Sequence, residues 1–135
     1  MLATGRGEIL RRLPDLPAVS VVLAKPPVSV STAWAYKTYD LIGSARHPDT
    51  KAMLAALSEK NPETVARGLV NVLEDVTMRE HPIISSYKRI LADNGAMASL
   101  MSGSGPTVFG LAKSRETAER RRSHCRMHIL TRRFL

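Results

Sequence analysis

The spacing of apolar positions changes several times along the 135 residues, and each change marks an element. Ala18-Val-Ser-Val-Val-Leu-Ala24 is a β-branched apolar run stopped by Lys25-Pro26-Pro27, and its length and composition predict a buried strand. Ahead of it, residues 1–17 are rich in Gly, Pro and Arg and read as a lead-in with one short strand around Glu8–Leu10. From Thr32 to Ile42 the period becomes helical, with Trp34, Ala35, Thr38 and Leu41 or Ile42 on one side. A serine just before this run can cap it, because its oxygen accepts from the free amides of the first turn, and Gly43 ends it.

Three more helices follow from the same pattern. Pro48–Ser58 carries Met53, Leu54 and Leu57 on one face. Asn61-Pro62-Glu63 is a helix start: Asn caps, Pro fits the first turn without losing a bond, and Glu complements the dipole. Val65, Leu69, Leu73 and Val76 then continue at helical spacing as one buried stripe. Pro82 opens another helix with Ile83, Ile84, Tyr87, Ile90 and Leu91 inward, Lys88 and Arg89 in the last turn, and Asp93-Asn94-Gly95 as its end. Two short apolar stretches, Ala96–Met101 and Thr107–Leu111, flank Ser102-Gly-Ser-Gly-Pro106 and predict two strands joined by a tight turn. A helix from Ser114 to about Ser123 and a closing strand around Met127, Ile129 and Phe134 complete the pattern. The order predicts an α+β fold, a ferredoxin-like split β-α-β sandwich with extra helices in the first crossover.

Composition narrows the class. The apolar fraction of 44% suits one globular domain, and no apolar run approaches the ~20 residues of a membrane-spanning helix. The amino terminus has no basic stretch followed by an apolar core, so a secretory signal is not expected, and the lone Cys125 fits a reducing cytoplasm. The net charge of +8 is concentrated in the tail: eight of the 20 basic residues lie from Lys113 onward, opposed only by Glu116 and Glu119. The preceding chain is nearly neutral, which favours a solvated basic surface over a nucleic-acid site. An RNA-binding module using the sheet and basic tail is the alternative. Base stacking there would need aromatics on the strands, and Phe109 is the one candidate. His47 and His81 each precede a proline at a helix start, so turn geometry accounts for them. His124 and His128 would share a face only on a helix, whereas a strand is expected there, so no metal site is expected.

The glycine turn is the segment with chemistry. Gly permits positive φ and close approach, and successive free amides in such a turn can form a concave anion site. A plain hairpin connection explains the same residues, and neither a Walker loop nor a dinucleotide fingerprint is present. In context, Met101-Ser-Gly-Ser-Gly-Pro-Thr-Val-Phe-Gly-Leu111 is similar to the third conserved motif of the GHMP kinase superfamily. Ala3–Leu10 resembles the strand and turn leaving that family's first domain, and Val22–Ala33 the segment beginning its second. Asn71-Val-Leu-Glu-Asp-Val76 resembles, more loosely, a helix with an Asn-Asp-Leu-Glu pattern.

The resemblance, spanning about residues 3–112, implies the carboxy-terminal half of an ATP-dependent kinase of isoprenoid precursor synthesis. Its substrate would be cytidine-diphosphate methylerythritol, phosphorylated on the 2-hydroxyl. Residues 1–17 would then be the end of the first kinase domain and 18–135 the carboxy-terminal domain. The family's phosphate loop, catalytic Asp and amino-terminal Lys match nothing in this sequence. No catalytic residue is therefore expected here, and the chain is expected to be inactive without an amino-terminal kinase domain. ATP and Mg2+ would be held mostly by that other part. By position, Tyr36 matches an aromatic that packs on the cytosine ring and Thr32 a hydroxyl near the substrate. Gly103, Ser104 and Gly105 match the loop that supports the ATP phosphate loop. Read as residues alone, Tyr36 is equally a core side chain with its hydroxyl outward, and Thr32 equally a capping residue. The tail Arg120–Arg126 is more basic than the family pattern.

Overall fold

A computed structural model describes residues 1–113. The expected last helix and closing strand, together with His124, Cys125, His128 and the basic tail, lie outside the described residues. The described residues form ten elements: β1 (Leu2–Thr4), β2 (Ile9–Arg11), β3 (Ser20–Ala24), α1 (Thr32–Ile42), α2 (Thr50–Ser58), α3 (Pro62–Arg67), α4 (Glu74–Glu80), α5 (Ile83–Asp93), β4 (Ala98–Met101) and β5 (Val108–Ala112). β5 lies between β3 and β4 and runs antiparallel to both. The outer two strands are therefore parallel with a third inserted between them, which is the split β-α-β arrangement the pattern predicted. The extra helices α1–α4 occupy the first crossover, and α5 returns the chain to β4.

The core forms on both faces of this sheet. On one face, Val22, Ala24, Val108 and Ala112 pack with Ile84 and Leu91 of α5 and with Leu73 and Met101. α5 and the chain leaving it lie close over β5: a Cβ placed on Gly110 would sit 3.1 Å from the Ala96 Cβ and 3.5 Å from Leu91 of α5, so a side chain there would need its neighbours to shift. On the other face, Leu111 and Val19 pack on Ala66 of α3, with Phe109 and Leu69 partly covered.

Three capping expectations hold at atomic detail. The Ser31 hydroxyl accepts from Trp34 N–H at 3.3 Å, and the Gly43 N–H closes α1 onto Tyr39 O at 2.7 Å. Asn61 Oδ1 accepts from Glu63 and Thr64 N–H at 3.0 and 3.1 Å. α2 starts later than Pro48, because Asp49 is its cap and accepts from Ala52 N–H at 2.9 Å.

Four expectations are corrected. The single strand near Glu8–Leu10 is one arm of a hairpin, β1 with β2, which forms its own two-stranded sheet. The stripe from Val65 to Val76 is not one helix: Gly68 N–H turns back on Thr64 O and Val65 O, and helix resumes at Glu74. The break survives because the Asn71 side chain accepts from Leu73 N–H at 3.0 Å, replacing part of the lost ladder. Leu41 and Ile42 do not face inward; they are 77% and 50% exposed, since α1 packs through Ala35, Thr38 and Tyr39 and its last turn overhangs the body. Lys88 and Arg89 precede the last turn of α5, which runs on to Asp93.

The connection between α1 and α2 is tied to α4 by charge. Asp75 accepts from the Ser44 hydroxyl and from the Arg46 guanidinium. The Arg46 hydrogen bond, with that of Ser44, holds the Asp75 carboxyl below its ordinary pKa, and Asp75 in turn raises that of Arg46. A carboxyl depressed in the folded state stabilises above its unfolded pKa, and this contribution disappears as pH falls through the folded value. Wild-type stability should therefore decline on acidification below about pH 4. Asp75→Asn should reduce that decline and lower stability at neutral pH, as read from urea midpoints across the acid range. Identical pH profiles for the two proteins would contradict this assignment.

Candidate functional site

The turn between β4 and β5 is held from below. Ser102 N–H bonds Thr107 O at 2.8 Å, and Gly105 N–H bonds Ser102 O at 3.0 Å. Gly103 and Gly105 have φ of +57° and +91°, which side-chain-bearing residues adopt only with strain. At Gly105 space is also short, because a Cβ there would lie 2.7 Å from Met101 Sδ. Thr77 of α4 donates its hydroxyl to Ser104 O at 3.2 Å. Asn71 donates to both Met101 O and Gly103 O, each at 2.8 Å.

Beneath the turn lies a buried charge. The Glu74 side chain is fully buried and accepts from Met101 N–H at 2.7 Å and from Lys88 Nζ at 2.6 and 2.7 Å. Arg46 Nη1 stands 3.7 Å from the same carboxylate. Desolvating a carboxylate is costly unless it is paired and hydrogen-bonded, and here both conditions are met.

On the far side of the turn is the start of α1. Thr32 Oγ1 and Ser104 Oγ lie 2.9 Å apart, a hydroxyl pair spanning 72 residues of sequence. Tyr36, one turn along α1, is 55% exposed and lines an open cleft of about 690 Å³ together with Tyr39, Asp40, Asn71, Ser102 and Gly103. The cleft floor is apolar, with Leu100 and Phe109 from the sheet. Four of the five expected site residues therefore converge: Thr32 and Ser104 touch, and Tyr36 and Gly103 share the cleft. Gly105 is set back, against Met101 and Thr77. Of the two readings of Tyr36, exposure at a cleft rules out the buried core residue.

Asn71, Glu74, Thr77 and Lys88 were missed as site residues. Asn71 and Glu74 lay within the Asn71–Val76 segment that loosely resembles a family helix, but the apolar stripe read as one continuous helix and neither residue was given a role. Among the described residues no group of three His, Cys, Asp or Glu is placed to hold a metal ion, and no helix is long and apolar enough to cross a membrane.

A fold of this topology with a glycine turn at its β4–β5 junction belongs to a known class. The family profile "GHMP kinases C terminal" matches residues 53–126, and the chain belongs to that family. Among proteins it is similar to is 4-diphosphocytidyl-2-C-methyl-D-erythritol kinase of Acetivibrio thermocellus, 42% identical over 118 residues, covering 87% of this chain and 42% of that one. The Bacillus velezensis protein of the same name is 48% identical over 119 residues, covering 88% and 41%. A crystal structure of 4-(cytidine 5'-diphospho)-2C-methyl-D-erythritol kinase superposes with a TM-score of 0.68 at 30% identity, over 86% of this chain and 41% of that one. Homoserine kinase from Cytophaga hutchinsonii shares the fold, with a TM-score of 0.64 at 23% identity over 81% and 36%. The chain thus spans about two fifths of the length of the curated relatives it matches.

Two substitutions test how the site is supported. Lys88→Met should leave the Glu74 carboxylate under-compensated and cost about 3 kcal/mol, in line with breaking a buried ion pair. Loss of less than about 1 kcal/mol in urea unfolding would mean the pair is effectively solvated. Gly105→Ala should cost about 1–3 kcal/mol through positive φ alone, with the Met101 contact adding to it. An unchanged unfolding midpoint would show that the turn relaxes freely.

Proposed function

We propose that this chain is the carboxy-terminal part of a kinase that transfers the γ-phosphoryl group of ATP to the 2-hydroxyl of 4-diphosphocytidyl-2-C-methyl-D-erythritol, a step in isoprenoid precursor biosynthesis. The observation that supports the reading is that Tyr36, Ser102 and Gly103 share one cleft, with the Thr32–Ser104 hydroxyl pair one helical turn from Tyr36, in a chain over 40% identical to proteins of that name. In phosphoryl transfer the protein's task is positioning and neutralising charge on the transferred group. The division of labour follows from what each residue can do. Tyr36 offers a flat exposed ring on which the cytosine stacks, beside the apolar side chains of Leu100 and Phe109. Thr32 and Ser104 supply hydroxyls beside it, and Gly103–Gly105 buttress the phosphate-binding loop of the partner domain.

ATP and Mg2+ are the cofactors of this reading. On this reading Mg2+ and the groups acting on the reacting atoms belong to the amino-terminal kinase domain. The chain by itself is then incomplete and inactive. Residues 1–17 are the end of that other domain and 18–135 the carboxy-terminal domain. The exposure of Ile9 and Leu10, 59% and 60%, favours this division, because a hairpin with an uncovered apolar side is suited to packing on further structure.

Two measurements test the proposal. The isolated chain should bind cytidine diphosphate, and Tyr36→Ala should weaken binding roughly 5- to 150-fold, the equivalent of about 1–3 kcal/mol of lost stacking. Equal affinity of both proteins by calorimetry would remove Tyr36 from the site. Incubated with ATP, Mg2+ and the cytidine substrate, the chain alone should give no phosphorylated product; robust turnover would overturn the claim that it lacks catalytic groups.

A further inference from the structure

The Asn71 side chain lines the cleft yet has little left to give a ligand. Both Nδ2 protons are spent, on Met101 O and Gly103 O, and Oδ1 already accepts from Leu73 N–H. Its effect must therefore pass through the groups it holds. One of these is the carbonyl of the Gly103–Ser104 peptide. That peptide is trans, since the one cis bond of the turn is Gly105–Pro106. In a trans peptide the C=O and the following N–H point in opposite directions. Drawing Gly103 O onto Asn71 therefore turns Ser104 N–H away from the Asn71 side.

Ser104 is only 8% exposed, and among the described residues its N–H meets no acceptor. A buried donor without an acceptor costs about 1–3 kcal/mol, so a ligand oxygen would be a favourable partner for this one. The other polar groups of Ser104 are occupied. Its carbonyl accepts from Thr77, and its hydroxyl is paired with that of Thr32. Only one of those two hydroxyls can donate to the other, so the pair keeps one proton to offer. The preceding Gly103 N–H likewise has no acceptor among the described residues. Glycine at 103 leaves open space where a Cβ would otherwise stand.

We propose that Asn71 is a positioning residue: by holding Gly103 O it presents the Ser104 N–H to an anionic phosphoryl oxygen of a bound nucleotide. This rests on the phosphoryl-transfer reading above. The oxygen can come from the diphosphate of the cytidine substrate or from the adenine nucleotide, and the shared chemistry is a phosphoryl oxygen accepting from a backbone donor, as in other amide-lined anion sites. Glu74 contributes from beneath, because its bond to Met101 N–H fixes the residue at which the turn begins.

The test is an NMR titration of the 15N-labelled 135-residue chain at about 0.15 M salt, where weak surface attraction to a basic protein is screened. Cytidine diphosphate and adenosine diphosphate form separate arms. In the wild type the Ser104 amide should shift saturably with one of them; with cytidine diphosphate the Tyr36 ring should respond in parallel. Asn71→Leu removes the whole clamp. Asn71→Asp keeps the acceptor for Leu73 N–H but loses the donor to Gly103 O. In both variants the apparent affinity reported by Ser104 should fall at least tenfold, while the Tyr36 response to cytidine diphosphate persists. A purely structural Asn71 would instead lower thermal stability and leave the Ser104 response of the folded fraction unchanged, which overturns the proposal. Unfolding of both variants would do the same. A wild-type Tyr36 response with a silent Ser104 sinks this inference alone, whereas silence at both sinks the proposed function with it.

Discussion

A carboxylate with no exposed surface must find its charge partners inside the fold, and Glu74 sets that condition for much of this molecule. Lys88 reaches it from the middle of α5, Arg46 approaches it from the α1–α2 connection, and the backbone of β4 donates to it through Met101 N–H. Three segments distant in sequence are thereby held around one group. Isolated, the charge would be expensive; paired, it contributes little net stability compared with a well-packed apolar substitute. What it supplies is direction. Apolar packing tolerates small rotations of a strand end, whereas a bond from a fixed carboxylate to one N–H does not.

That direction matters because of where Met101 stands. It is the last residue of β4 and the first point of the glycine turn, gripped on its N–H by Glu74 and on its C=O by Asn71. The break between α3 and α4 makes the second grip possible. A continuous helix through residues 62–76 would satisfy the local backbone, but it would carry Asn71 as one more position on a regular turn. Ending α3 at Gly68 frees the chain to lay Asn71 against the β4–β5 turn, at the cost of a few ladder bonds that its own side chain partly restores.

Local chemistry was legible in the sequence where a short segment decides the outcome alone. Ser31 and Asn61 cap as expected, because capping needs only a polar oxygen beside free amides. The 102–106 turn and its strands follow from glycine and β-branched spacing, and the split β-α-β order follows from the order of the elements. The expected site residues Thr32, Tyr36, Gly103 and Ser104 do gather, but their proximity to one another is a tertiary fact that no local pattern contained. Two things stayed hidden for a different reason. The periodicity of Val65, Leu69, Leu73 and Val76 is satisfied by two helices as well as by one, since apolar spacing reports burial and not hydrogen bonding. Lys88 read as a helix-end base, and Glu74 as one more position in a helix running through Val76. Only the packing of α4 on α5 and β4 reveals that one is buried and needs the other.

The clamp also bears on how a chain of this length can retain a shaped site. Among the described residues, Thr32, Asn71 and Thr77 bond the 102–105 turn directly and Glu74 fixes Met101 at its start. On the proposed reading, the groups that act on the reacting atoms lie in the other part of the kinase, while those that present a surface and a backbone donor to the bound nucleotide lie here. Such a division is physically reasonable because the two tasks have different requirements. Charge stabilisation needs donors or cations converging on the reacting atoms, whereas presentation needs a rigid edge whose geometry exists before anything binds. A turn fixed by buried bonds loses little conformational entropy on docking, so its contribution to binding does not depend on being ordered by the partner.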